Sequence, residues 1–273
     1  MSRYSAFDRF TLKAATKAAE MLMAPANRRE VFDQFVLTVT AVTELSEHMR
    51  RITFHAPELA SFEVTGPDEY FGLLMATGRD LVMPPDDRIN VRSSLRAMPE
   101  ETRPDLRWYT VRAHRPEASE IDVDFVVHGD AGPGTRWARR AIAGDQAGFR
   151  AGGSAYRPPA EGSVLLAADE TALPALAAIL EVEARPMHVY VEVPDESYKI
   201  DLEAEWVFRG SEEPGSAVLK AIRGTTLTTV EYAWACGESG LASGVRRHLV
   251  KDRGVDRKAI MFSGYWKAGS ART

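Results

Sequence analysis

A single cysteine, Cys236, among 273 residues leaves no means of building an intramolecular disulfide, a Cys-rich zinc site or an iron–sulfur cluster from this chain alone. A reducing compartment is the expected setting. No run approaches the ~20 uninterrupted apolar residues of a membrane span, and the first residues lack the apolar core and small-residue cleavage site of a signal peptide, so a cytoplasmic protein with no integral membrane segment is expected. The formal net charge of -5 offers no global attraction for nucleic acid, and no nucleic-acid partner is expected. The six histidines are scattered and form no ligand constellation, so no protein-held metal is expected. A Gly-x-Gly-x-x-Gly fingerprint is also missing.

What is present divides into three stretches: a helical extension over residues 1–30, a strand-rich domain over 31–158 and an alternating domain over 159–273. In the first, Phe7, Phe10, Ala14, Ala18, Met21 and Leu22 recur at helical spacing with Arg9, Lys13 and Lys17 interleaved. Such a helix suits a membrane surface or a partner, but packing on its own domain or on a second copy is the reading favoured. In the second, short β-branched and aromatic runs (Phe35–Val42, Arg51–His55, Tyr70–Met75, Trp108–Ala113, Ile121–His128) between turn clusters predict an antiparallel barrel, with Asp80–Pro104 as a long surface loop. In the third, strands at Ser163–Ala168, His188–Val193, Glu231–Gly237 and Ala259–Trp266 alternate with helices at Thr171–Ala184 and Leu241–Arg253, which predicts a parallel sheet.

Three local patterns carry chemistry. In Arg107-Trp108-Tyr109-Thr110-Val111-Arg112, strand alternation sets Arg107, Tyr109 and Val111 on one face and Trp108, Thr110 and Arg112 on the other. A guanidinium beside a phenol ring is what a flavin dinucleotide needs, the first for its diphosphate and the second for its ring or ribityl part, while Thr110 can tune the ring; an edge strand with ordinary arginines is the competing reading. In Gly132-Pro133-Gly134-Thr135-Arg136-Trp137-Ala138, Thr135 is taken as an N-cap that leaves backbone amides open to a phosphate, against the alternative of a plain chain reversal. Asp169-Glu170-Thr171 and Gly237-Glu238-Ser239 close two strands of the parallel sheet, where ligands of open sheets bind, although each also suits an ordinary strand-to-helix turn.

Together with Asp124-Phe125-Val126-Val127-His128-Gly129, Leu173-Pro174-Ala175 and Gly264-Tyr265-Trp266-Lys267-x-Gly269, these motifs resemble the siderophore-interacting proteins, ferric-siderophore reductases of the ferredoxin-reductase superfamily, in the expected order from about Phe35 to Gly269. The resemblance implies a six-stranded Greek-key β-barrel domain for FAD followed by a parallel α/β domain for NADH or NADPH, with a ferric siderophore as substrate. It implies Arg107 and Thr135 as phosphate contacts, with Arg112, Gly132, Pro133, Gly134 and Trp137 around them, Tyr109 and Thr110 as flavin contacts at the reacting centre, and His128 near the ring or diphosphate. Asp169, Glu170, Thr171, Gly237, Glu238 and Ser239 become the nicotinamide-side loops, and Tyr265 and Trp266 cover the flavin or shape the cleft. Gly72 stands where the family carries a siderophore-holding lysine, which turns attention to Arg136, Arg246, Arg247 and Lys267, and to Arg88, Arg92 and Arg96. Alternatives are a flavin reductase serving a quinone or an oxygenase, and a non-catalytic ligand-binding module. Glu192, Asp195 and Glu196 lean toward NADH, with Lys199 as a counterweight. The siderophore's identity and the oligomeric state are not written in the residues.

Overall fold

The computed structural model describes residues 3–127, 132–227 and 229–269, and the chain forms two compact units, one of Met1–Ala18 with Asn27–Ser154 and one of Ala19–Ala26 with Ala155–Thr273. Chain order runs α1 (Ala6–Glu20), β1 (Asn27–Arg28), β2 (Gln34–Ser46), β3 (Met49–His55), β4 (Tyr70–Met75), α2 (Val91–Arg96), β5 (Asp105–Thr110), β6 (Ala113–Arg115), β7 (Glu120–Val126), α3 (Pro133–Arg140) and β8 (Gln146–Ser154). Seven of these strands lie in the order β5-β4-β8-β2-β3-β7-β6, with β1 pairing β8 off this path, all antiparallel. β5 and β6 are one strand broken at Val111–Arg112: its first half pairs with β4 and its second with β7, so the sheet closes on itself as a six-stranded Greek-key barrel.

Alternation fills the barrel. Ile121, Val123 and Phe125 of β7 point inward beside Leu37, Ile52, Phe54 and Phe71, and Phe149 stacks between Phe35 and Phe71 at ring distances of 4.6 and 4.7 Å. The expected Asp80–Pro104 loop is more ordered than a loop. Asn90 caps α2 by accepting from the Arg92 amide, and Val91, Leu95 and Met98 bury against Leu74 and Leu106 on the barrel's outer face. Composition alone hid this helix because six residues are too few for a clear period.

The outward residues of β7 are carboxylates held between arginines. Asp124 receives two hydrogen bonds from Arg51 at 2.7 and 2.8 Å, and Asp122 receives Arg115 and Thr53. Burial alone would raise the Asp122 carboxyl, but Arg115 and Thr53 donate to its ionised form and hold it below the usual aspartate value. A group depressed in this way contributes stability above its unfolded value near 4 and loses it as pH falls through the folded value. Asp122→Asn should therefore lower barrel stability by about 1–2 kcal/mol at pH 7, with the deficit shrinking below about pH 4, as read from urea unfolding at a series of pH values.

The second unit is β9 (Val164–Asp169), α4 (Leu173–Val182), β10 (Met187–Val193), β11 (Glu205–Phe208), α5 (Ser216–Gly224), β12 (Tyr232–Glu238), α6 (Ser239–Asp252) and β13 (Ile260–Trp266). The sheet is wholly parallel in the order β11-β10-β9-β12-β13. β9 and β12 at its centre are buried on both faces, which explains their unbroken apolar text. β11 and α5 were not legible, since Glu205-Trp206-Val207-Phe208 is a short, half-exposed edge strand.

Candidate functional site

β5 presents the alternation expected of it. Leu106 and Trp108 pack outward under α2, whereas Tyr109 and Val111 turn to the barrel interior, the Tyr109 ring 4.3 Å from that of Phe125. Arg107 shares the Tyr109 face. Its guanidinium donates to the Leu106 carbonyl at 2.7 Å, and among the described residues no carboxylate pairs with it. Burial pushes the Tyr109 phenol well above its ordinary value, with the Arg107 charge offsetting only part of the rise, so the hydroxyl keeps its proton.

Beside these two side chains begins α3. Gly132 is its N-cap, in extended conformation, with Pro133 in the first turn and, among the described residues, no side chain capping the end. The helix thus starts three residues before the N-cap expected at Thr135, because proline lacks an N–H and its fixed φ suits the first helical position. Thr135 becomes a first-turn residue. A Cβ on Gly134 would strike the Tyr109 hydroxyl and stand 3.7 Å from Arg107 Cγ; glycine is what lets the strand and the helix start approach this closely. Among the described residues, a cation without a carboxylate partner, a phenol and a helix N-terminus without a side-chain cap therefore converge on one place, and all three favour an anion. This donor set fits the diphosphate of a flavin dinucleotide.

Other expected contacts lie elsewhere. Trp137 is buried in the barrel core, stacked 5.9 Å from Phe54 and 6.0 Å from Phe125, where it seats the helix. Arg112 lies on the opposite side of the chain from Arg107, 3.7 Å from Asp124, and Thr110 is buried on the face away from Tyr109. His128 lies outside the described residues. A Cβ added at Gly72 would stand 2.7 Å from Leu106 Cδ1, the movable end of a side chain. Of the basic candidates, Arg136 is exposed on α3 and Lys267 is exposed after β13, whereas Arg246 donates to the Leu22 carbonyl at 3.0 Å and lies over the Phe262 ring.

In the second unit the strand-end residues form one knot. Asp169 ends β9 fully buried; its Oδ1 accepts from the Thr171 amide and hydroxyl at 2.9 and 2.6 Å, and its Oδ2 accepts from the Glu238 amide at 2.7 Å and the Trp266 indole at 2.8 Å. Gly237 is obligatory at the junction: its φ is +137°, and a Cβ there would press on the Asp169 carboxyl. Glu238 caps α6 by accepting from the Gly240 and Leu241 amides, and Ser239 donates to the Trp266 carbonyl at 2.7 Å. Tyr265 adjoins this knot, half-buried on the preceding residue of β13. Burial first, and the Glu170 carboxylate second, push the Asp169 carboxyl up to about 7 against the pull of its donors.

Sequence reasoning missed Arg209. Both its terminal nitrogens meet Glu170 at 2.7 Å, and Glu192 is 3.8 Å away. No signal pointed to it, because it follows an edge strand that was itself unrecognised. Glu192, which had leaned toward NADH, is fully buried and accepts the Gly215 and Val218 amides at 2.6 and 2.9 Å. It holds the start of α5, and the leaning toward NADH loses its main support.

Two family profiles match the chain: the siderophore-interacting FAD-binding domain over residues 38–155 and the siderophore-interacting protein domain over 161–269. The crystal structure of a siderophore utilization protein from T. fusca is 30% identical, with a TM-score of 0.75 over 88% of this chain and 95% of that one. An uncharacterized protein of Mycobacterium tuberculosis is 30% identical over 85% of this chain and 89% of its own length. The ferric vibriobactin reductase ViuB of Vibrio cholerae is 29% identical over 82% of this chain and 86% of its own.

Proposed function

The chain belongs to the siderophore-interacting protein family, and from that premise we propose that it is a cytoplasmic reductase that carries electrons from NADH or NADPH through FAD to a ferric siderophore, releasing ferrous iron. One observation supports this most directly: Arg107, without a carboxylate partner among the described residues, shares a strand face with Tyr109 at the start of α3. When bound, FAD supplies the conversion of a two-electron hydride into single electrons that ferric iron can accept.

The protein's residues then have separable tasks. Arg107 and the first-turn amides of α3 neutralise the dinucleotide's diphosphate, and Tyr109, protonated and wedged against Phe125, offers a ring face of fixed orientation. In the second unit, Asp169 holds the Thr171, Glu238 and Trp266 donors in register at the strand ends where a nicotinamide dinucleotide would lie. Arg136 and, separately, Lys267, each exposed on its own unit, are the candidate cations for an anionic siderophore, since glycine at position 72 supplies none. Hard siderophore oxygens hold ferric iron far better than ferrous, so reduction itself loosens the metal.

The reading is tested by anaerobic titration of the FAD-loaded protein with NADH and, separately, NADPH, followed by ferric chelates. Bleaching of the flavin band by one nicotinamide and its return with two equivalents of ferric siderophore are expected. A chain that cannot be loaded with FAD, or whose bleached band is restored by quinone but by no ferric chelate, would overturn it.

A further inference from the structure

Helix α1 is turned the wrong way round for a helix that packs on its own chain. At about 100° per residue, Phe7, Phe10, Ala14 and Ala18 fall on one stripe of the helix, and that stripe faces solvent: Phe7 is 74% and Phe10 70% exposed. The partly covered positions are Asp8, Leu12, Thr16 and Ala19, on the far side, and no residue of the helix is buried. Of the two packings favoured by the sequence, on its own domain or on a second copy, the first is not what the structure shows for this stripe. Tyr4, buried and exchanging hydrogen bonds with the Phe32 backbone at 3.2 and 3.1 Å, anchors the start of the helix in this orientation.

Along one flank of the stripe lie Arg9, Lys13 and Lys17, and the two lysines carry no ion pair among the described residues. Only Asp8 and Glu20 oppose them in the helix, whereas the chain as a whole has a net charge of -5. An outward aromatic stripe edged with cations is the pattern of a helix lying in the plane of an anionic interface. A second copy suits it less well. The two phenylalanines expose roughly 300 Å², so pairing two stripes would bury about 600 Å², short of the roughly 1,200–2,000 Å² of a stable interface. An antiparallel pairing would also set the cationic flanks against each other.

We propose that α1 docks this protein on the surface of an anionic lipid bilayer through Phe7 and Phe10, with Lys13 and Lys17 among the headgroups. The helix has 15 residues and does not cross. The proposal is independent of the reductase reading, and its test uses the full chain with neither nicotinamide nor iron. In flotation with vesicles of phosphatidylcholine alone or of equal phosphatidylcholine and phosphatidylglycerol, binding to the anionic vesicles is expected to be at least about tenfold stronger at low salt and to weaken as salt rises. Phe7→Ser with Phe10→Ser, and separately Lys13→Glu with Lys17→Glu, should each lower that binding about tenfold or more, with an unchanged circular-dichroism melt showing that the chain still folds. Failure to bind anionic vesicles, equal binding to both compositions, unaltered binding by either double variant, or a dimer in sedimentation velocity that the phenylalanine variant dissolves would overturn it.

Discussion

Arg107→Ala is expected to weaken FAD binding by about two to three orders of magnitude while leaving the flavin-free protein folded. Truncating one partner of a desolvated charged pair costs on the order of 2–5 kcal/mol, and the partner here is the diphosphate that the site proposes. The flavin-free melt should hardly move, because among the described residues the guanidinium's hydrogen bond is to the Leu106 carbonyl beside it. Arg107→Lys restores a point charge without the planar fork and should recover only part of the affinity. Equilibrium titration of FAD into both variants, with thermal melts of the flavin-free forms, reads the effect. Stoichiometric flavin at wild-type affinity after Arg107→Ala would remove the residue from the site, and a collapsed flavin-free melt would recast it as structural.

How far the sequence carried this picture depends on whether a signal is local. The face shared by Arg107 and Tyr109 follows from strand alternation alone, which holds wherever one side of a strand is buried. Alternation also says which residues face inward, but not which cations find carboxylates, and Arg112 was placed in the site without its partner Asp124 being foreseen. Trp137, placed near the site by the resemblance, packs on Phe54 and Phe125 of β3 and β7, partners too distant in sequence for its local motif to name. The knot at the sheet's carboxyl edge was legible in location, because parallel strands must end somewhere near their ligand. Its internal wiring was not, since Asp169 meets Trp266 across 97 residues.

That wiring makes Asp169→Ala the most damaging change in the second unit. It leaves the Thr171 and Glu238 amides, the Thr171 hydroxyl and the Trp266 indole without their acceptor, and the Glu238 amide is buried, so a loss of about 2–4 kcal/mol is expected. Asn is no remedy. Each carboxylate oxygen serves two donors, and whichever way the amide turns, its NH₂ faces one of those pairs. Because the ends of β9, β12 and β13 are fixed through this one carboxylate, the rate at which nicotinamide bleaches bound flavin should also fall about a hundredfold, the usual penalty for a displacement near 1 Å. The loss carries a pH signature. With its folded value raised to about 7 and an unfolded value near 4, this carboxyl binds more protons in the folded chain across that window. Its contribution to stability is full below the unfolded value and fades as pH rises toward 7. The stability gap between wild type and Asp169→Ala should therefore be wider at pH 5 than at pH 8, as measured by urea unfolding of the two proteins side by side. A gap that widens with rising pH would mean that the four donors outweigh burial and that Asp169 is ionised throughout; a wild-type bleaching rate in the variant would detach the knot from electron transfer.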